Sequence, residues 1–415
     1  MQTGSIANIV EKEIFANGVK MKKKILFIEQ NTDGTIGGSH YCLLYLIDGI
    51  DKTKYEPIVL FYENHKLIPD FELKGKVHIH NYREYNKNDN KIKRKAINMF
   101  VHLKHFVNAF YWISRQKINL IHLNNSILGG YDLWLPISLF LHIPCISHER
   151  GFNSFSKLNR VEKYLLNKYS AVISVSDVIR ENVKKSGISD HKLLTVHDGI
   201  DPDLYRSKVT RRKDEVRREL NINSKVLIIG MIGNIRQIKG QEYLLDVLKI
   251  VEENYDDFVC IMVGGMSKST KKDNEYGSYL IKLINEYGMR DKINLTGFRS
   301  DIPDIINIFD VQVNASIIPD AFPHVILEGM SLGKAIVATN LGGAKECIKN
   351  GVTGFMVPHD NEKEFANKLL LLLENKKLRE KMGKAAKERI NEFHIQKNIE
   401  KTQLIYSKTI KNNSN

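Results

Sequence analysis

The sequence predicts an α/β fold in two halves, each an open, mostly parallel sheet wound with helices. Short β-rich runs alternate with amphipathic helical stretches from residue 23 onward, the pattern of successive βα units rather than of hairpins. Glycine-rich turns follow a strand in both halves, at Gly37-Gly38 and again from Gly233 to Gly240, and glycine lets backbone approach a ligand closely. At 415 residues the chain also exceeds what one hydrophobic core sustains, so two domains of roughly 200 residues are expected.

Composition narrows the class. Hydrophobic residues at 42% and charged residues at 27% describe an ordinary globular protein. Cys42, Cys145, Cys260 and Cys347 stand far apart with no paired spacing, which suggests a reducing compartment and no zinc cluster. The net charge is +14, with the larger share in the first half. Such an excess attracts phosphate-bearing ligands, nucleic acid or an anionic membrane surface, and a lysine-rich composition without local meaning is the plain alternative. Lys and Arg are scattered, and no zinc finger or RNA-binding motif occurs, so nucleic acid is not an expected partner. No stretch approaches the about 18 apolar residues of a membrane span, and the first residues do not read as a secretory leader. Residues 1–20 read as an extension before MKKKILFIE, which opens the first domain at Met21.

In chain order, residues 23–30 (KKILFIEQ) form a strand, TDGTIGGSH a loop and HYCLLYLIDGI a helix. Gly37 and Gly38 match no strict dinucleotide fingerprint, so a ligand loop and a plain tight turn are both open. Residues 55–62 and 76–82 read as strands. Next comes KIKRKAINMFVHLKHFVNAFYWISRQK, a basic run at 91–95 leading into a helix rich in aromatic and branched residues. It is either a crossover helix packed on the sheet, which packing favours, or a basic-aromatic surface helix at an interface. Residues 118–125 form a strand, and 143–151 another that ends at His148-Glu149-Arg150. A histidine at a strand end, beside a carboxylate and a guanidinium, is placed for ligand contact. A strand at 170–176, the helix DVIRENVKKSG and KLLTVHDGID complete a first domain over 21–200. The polar, charge-rich stretch 201–223 reads as a linker.

The second domain, 224–390, opens with a strand at 226–229, a loop carrying Gly233, Asn234 and Arg236, then Lys239-Gly240 and a helix. A lysine at a loop-to-helix junction suits a diphosphate: backbone N–H groups and the helix field favour an anion, and the ammonium adds a mobile point charge. The spacing is not GxxxxGK[ST], so a nucleoside triphosphatase is not indicated. The α/β alternation continues to SIIPDAFPHVILEGMSLGKAIVATNLGGAKE. There Asp320 lies in a proline-rich bend and Glu328 eight positions on; a turn at Gly333-Lys334, the strand AIVAT, Gly342-Gly343 and Glu346 follow. Two amphipathic helices come next, and 391–415 is expected as a helix returning toward the first domain, with a short tail. A cleft between the halves would bring Gly37, Gly38 and His148 against Lys239, Asp320 and Glu328.

These motifs resemble the retaining glycosyltransferases of family 4 (glycosyl transferases group 1). The resemblance runs from about residue 23 to 393 and is strongest in the second half. The family pattern of an acid, x, Phe, Gly, four residues and Glu-Ala-Met appears as Asp320-Ala321-Phe322-Pro323, residues 324–327 and Glu328-Gly329-Met330, followed by Gly333, Gly342-Gly343, Glu346 and Gly351 to Gly354. It implies the GT-B fold, two Rossmann-like α/β/α domains facing each other across a cleft, and a nucleoside-diphosphate sugar, UDP- or GDP-linked, as donor substrate with no resident cofactor or metal. Carried over, Glu328 would bind ribose hydroxyls, while Phe322, Pro323, His324 and Val325 would line the donor. Asp320 would contact a sugar hydroxyl. Lys239 would neutralise the leaving diphosphate, with Gly233, Asn234 and Arg236 beside it and the amides near Gly37 and Gly38 assisting. His148 would lie near the transferred sugar, so His148, Lys239 and Asp320 are the catalytic candidates.

Three departures from the pattern bear on the donor site. Asp320 stands for the usual Glu, Gly233-Asn234 for Gly-Arg with Arg236 two places on, and Pro323 for Gly. The resemblance further implies same-face attack and an acceptor on a glycan or lipid-linked glycan. The basic first half, including the run at 91–95, leads to the expectation of a cytoplasmic protein in peripheral contact with the inner face of an anionic membrane. A GT-B phosphorylase, a sugar-nucleotide epimerase and a catalytically impaired subunit that only binds a sugar nucleotide are the rivals.

Overall fold

The computed structural model describes residues 21–30, 36–80, 91–125, 133–155, 158–266 and 271–413. Residues 1–20, read as an extension, lie outside the described residues. Two parallel sheets organise the chain. The first has seven strands, β1 (Lys23–Glu29), β2 (Tyr55–Phe61), β3 (Lys76–Ile79), β4 (Leu120–Asn124), β5 (Cys145–Glu149), β6 (Ala171–Ser174) and β7 (Leu193–Thr195), in the order β3-β2-β1-β4-β5-β6-β7. The second has six, β8 (Leu227–Ile232), β9 (Phe258–Val263), β10 (Ile293–Gly297), β11 (Val311–Asn314), β12 (Ala335–Thr339) and β13 (Gly354–Val357), in the order β10-β9-β8-β11-β12-β13.

The chain divides into two compact units: Met1–His148, Leu158–Val172 and Gln403–Asn415 form the first, and Glu149–Lys157 with Ile173–Thr402 the second. In the first, β1 pairs in parallel with β2 and β4. Ile25, Leu26, Phe27 and Ile28 of β1 are all fully buried, as a strand covered on both faces requires. The helix Gly38–Gly49 turns Cys42, Leu43, Leu46 and Ile47 inward, a stripe at helical spacing. The helix Lys91–Gln116 buries Ala109 and Ile113 and stacks Trp112 on His78, ring centroids 4.2 Å apart. From the end of the chain, Tyr406 enters this core with its ring 6.3 Å from Phe27 and 6.0 Å from Tyr55.

In the second unit the core gathers Ile229, Val313 and Val337 from the sheet with Leu244, Leu248, Leu280, Phe365 and Leu369 from the helices around it. The stretch 201–223, expected as a linker, contains two short helices, Pro202–Ser207 and Lys213–Glu219, that bury Tyr205 and Val216. Its charges have local partners. The Asp304 carboxylate accepts from the amides of Thr210 and Arg211 at 2.8 and 3.0 Å, and Arg299 links Glu219 to Asp301.

Candidate functional site

In the second sheet β8 has β9 on one side and β11 on the other. The chain therefore leaves β8 and β11 in opposite directions, and a crevice opens beyond their carboxyl ends, where doubly wound folds bind ligands. The loop after β8 carries Gly233, Asn234, Arg236 and a short 3-10 turn, Gln237–Lys239. Gly240 closes it with φ 75°, and a Cβ there would stand 1.9 Å from the Ala315 carbonyl oxygen. Only glycine permits that approach. The loop after β11 answers with the Ile317 amide donating to the Ile238 carbonyl at 3.1 Å. Between the two loops Lys239 Nζ donates to Asp320 Oδ2 at 2.8 Å, both side chains about one-third exposed (31% and 29%). Gly233 adjoins the Lys239 stem, 3.8 Å from where its Cβ would be. Asn234 is exposed, and its carbonyl accepts from Gln241 Nε2 at 3.0 Å.

The Asp320 backbone is fixed from β12's side. Its carbonyl accepts from the Gly343 amide at 2.8 Å, and Gly342, at φ 54°, sits so close that a Cβ would meet the same oxygen at 2.1 Å. Phe322 is buried, with ring centroids 5.3 Å from His197 and 5.6 Å from Phe393. Pro323 precedes the helix His324–Ser331, which no side chain caps among the described residues. On its first turn His324 Nε2 lies 3.4 Å from Asp198 Oδ2, and Arg150 Nη1 donates to both oxygens of Asp198 at 2.5 Å. The Val325 carbonyl accepts from Gln312 Nε2 at 2.6 Å.

Glu328 lies one turn after His324. It keeps partial solvent access while protein surrounds it densely, as a group lining a recess does. Burial pushes its carboxyl up to about 7, against the charge of His324, a hydrogen bond with Tyr205 and the charge of Lys208. The next residue departs from the family motif for a steric reason: a Cβ on Gly329 would stand 2.2 Å from Gln312 Oε1. Gln312 is wholly buried in β11, its Oε1 without a hydrogen-bond partner among the described residues.

The surroundings of Glu346 have no signal in the sequence. Its carboxylate accepts from the amides of Asp177 and Val178 at 2.9 and 3.0 Å and lies 2.7 Å from His197 Nε2. With Asp177 these groups are close enough to hold a metal ion. Yet Glu346 already meets the amino end of the helix Asp177–Lys184, and Asp177 accepts from Thr195 Oγ1 at 2.6 Å, so a helix-capping cluster accounts for them.

In the first sheet the corresponding divergence falls between β1 and β4. Glu29, Asn124 and His148 lie side by side in register at the strand ends. Asn124 Nδ2 donates to Glu29 Oε2 at 2.5 Å and to the Ser39 carbonyl at 3.3 Å. His148 is fully buried, its Nδ1 3.2 Å from His122 Nε2, while His122 Nδ1 is 2.5 Å from the Tyr406 hydroxyl. Gly37 precedes the helix Gly38–Gly49, and among the described residues no atom stands within 4 Å of a Cβ placed on Gly37 or Gly38. Residues 31–35 of that loop lie outside the described residues.

Comparison with known proteins agrees with both halves. Residues 36–204 match the family model described as Glycosyltransferase Family 4, and residues 212–389 the one described as Glycosyl transferases group 1. Spore coat protein SA of Bacillus subtilis is 26% identical over 311 residues, 71% of this chain and 80% of that protein. The UDP-Gal:alpha-D-GlcNAc-diphosphoundecaprenol alpha-1,3-galactosyltransferase of Escherichia coli is 21% identical, over 75% of this chain and 81% of its own length. The crystal structure of Anabaena HepE in complex with UDP superposes with a TM-score of 0.76 at 22% identity, covering 94% of this chain and all of that one. That likeness speaks for the fold.

Proposed function

The chain is a GT-B-fold glycosyltransferase related to family 4 and the glycosyl transferases group 1, and from that premise we propose that it transfers a hexose or related sugar, with retention of configuration, from a nucleoside diphosphate. The acceptor is a hydroxyl of a glycan or lipid-linked glycan in cell-surface polysaccharide synthesis. The protein acts on the cytoplasmic side, in contact with an anionic membrane.

One observation carries the proposal: a lysine and a carboxylate, Lys239 and Asp320, meet across the two loops that leave the diverging strands β8 and β11. As the bond from the sugar's C1 to the diphosphate oxygen breaks, negative charge grows on the leaving group. Lys239 and the uncapped amides that open the helix His324–Ser331 are positioned donors for that charge, with no metal required. The acceptor oxygen bonds to C1 on the same face, and its proton passes to the departing phosphate. Asp320 releases Lys239 to the diphosphate and accepts from a sugar hydroxyl. Glu328, as the carboxylate, accepts from the ribose hydroxyls; Gly233, Asn234, Arg236, Phe322, Pro323, His324 and Val325 shape the donor recess; His148 orients the sugar, with Gly37 and Gly38 offering backbone amides. The names of the Escherichia coli relative and of the UDP-bound HepE structure support a nucleotide-sugar donor.

Incubation with a panel of UDP- and GDP-sugars, with release of nucleoside diphosphate as readout, tests this without knowledge of the acceptor. Release from one donor, lost in Lys239→Ala, is the expected result. Because Asn234 stands where an arginine is usual, a subunit that binds a sugar nucleotide without turnover is the competing proposal. It predicts calorimetric binding of the same donor with no release, with or without a lipid-linked acceptor.

A further inference from the structure

The helix Lys91–Gln116 faces two ways. One side packs inward through Ala109 and Ile113. The other presents Met99, Phe100, Leu103, Val107 and Tyr111, each between 54% and 69% exposed. Positions 99, 103, 107 and 111 repeat at i, i+4 and so share one stripe. A surface helix ordinarily turns its polar side outward; here the outward stripe is apolar. Phe140, on the neighbouring helix Trp134–Phe140, is 70% exposed and meets Phe106 edge-to-face with centroids 6.3 Å apart, which extends the patch beyond one helix. Contiguous exposed apolar surface of this kind marks a docking site.

The charges around it select the occupant. The helix holds no Asp or Glu; every formally charged residue in it is Lys or Arg. Lys104 and Arg115 lie exposed beside the stripe, and Arg115 sits over the Tyr111 ring at 4.0 Å. The helix begins with the basic run Lys91, Lys93, Arg94 and Lys95, whose side chains lie outside the described residues. Exposed apolar side chains on a helix whose only formal charges are cations complement a bilayer that offers hydrocarbon beneath phosphate. Among the described residues no helix is long and apolar enough to cross a membrane.

We propose that the outward face of Lys91–Gln116, with Phe140, is a docking surface for an anionic lipid bilayer, on which the helix lies in the plane of the headgroups. This gives the membrane contact in the proposed function a definite surface and a ligand class, and it can be tested without any sugar transfer.

Flotation with vesicles of equal parts phosphatidylglycerol and phosphatidylcholine, against phosphatidylcholine alone, provides the test. The protein is expected to float with the anionic vesicles at low salt, to bind neutral ones at least about tenfold more weakly, and to release as salt rises. The variant Met99→Ser/Phe100→Ser/Leu103→Ser/Val107→Ser should lose about tenfold or more in vesicle affinity with an unchanged melting temperature, because its positions are exposed. Phe100→Trp should add fluorescence that shifts to the blue when anionic vesicles are added. Absence of flotation by the wild type, full binding by the four-serine variant, or added indole fluorescence in Phe100→Trp that vesicles leave unmoved would overturn the proposal. So would a dimer in light scattering that the four-serine variant dissolves, since the face would then join two copies of this chain.

Discussion

Lys239 and Asp320, 81 residues apart in sequence, form an ion pair of 2.8 Å where the loops after β8 and β11 converge. Each keeps about a third of its side-chain surface in solvent, so the pair contributes little to stability, on the order of 0–1 kcal/mol. In the proposed reaction the carboxylate holds the lysine until the donor diphosphate, with more charge, replaces it.

Lys239→Ala is therefore expected to lower donor turnover by roughly 100- to 1,000-fold, the scale of losing one positioned donor to a developing anion. Its melting temperature should stay within about 2 °C of wild type. Nucleoside diphosphate release and a thermal melt on the same sample check both halves. Turnover that survives the substitution would remove Lys239 from the proposed chemistry.

On the proposed reading, in which Glu328 holds the ribose, nucleotide affinity is expected to depend on pH. Burial holds its carboxyl near 7, so at pH 6 most molecules carry a proton where a ribose hydroxyl needs an acceptor. Binding should tighten as pH rises through about 7 and release a proton, weakening by up to about tenfold per pH unit below that. Calorimetry in buffers of different ionisation enthalpy reads the proton directly. Glu328→Gln should bind weakly with a flat profile across the same window. For the unliganded fold the sign is opposite. The raised value gives Glu328 a stabilising contribution that is complete below its ordinary 4.5 and lost as pH passes about 7.

Lys334 shifts stability in a separate window. Its ammonium is buried, donating to the carbonyls of Asn307 and Phe309 at 2.8 Å each, and burial pushes it down to about 7 from 10.5. The unfolded chain holds more protons between those values, so stability should rise with pH from about 7 toward 10. Urea denaturation at several pH values should show that slope in wild type and not in Lys334→Met.

Gly329 and Gln312 should behave as a coupled pair. Gly329→Ala puts a methyl carbon against Gln312 Oε1, an overpacking expected to cost about 1–3 kcal/mol. Adding Gln312→Ala makes room and removes a buried oxygen that has no partner among the described residues, so the double variant should be more stable than the sum of the singles predicts. Additive losses in urea would show that the helix shifts instead.

Much of the second unit was legible in the sequence because it is written in short-range signals. Apolar runs mark β8, β9, β11 and β12, and glycines mark the loops that hold Lys239 and Asp320. What escaped depends on long-range placement. The Arg150–Asp198 pair and its approach to His324 bring together three distant segments. The cost of the family's alanine at position 329, on a helix, is set by a glutamine on the strand β11. His148 was legible as a strand-end histidine, but not as one member of a buried row. The helix Lys91–Gln116 has the aromatic content of a core helix, and only the packing of Ala109, Trp112 and Ile113 reveals that Met99, Phe100, Leu103, Val107 and Tyr111 face out.

The hydroxyl that meets His122, and through it His148, comes from Tyr406, 284 residues later in the chain. As the polypeptide leaves the ribosome, strands β1 to β5 emerge long before that tyrosine does. Until it arrives, His122 lacks that hydrogen bond. Completion of the first sheet's histidine row therefore waits for the helix Ile395–Asn412 to be synthesised. A chain stopped short of residue 406 would lack one of the contacts that hold His148 in place.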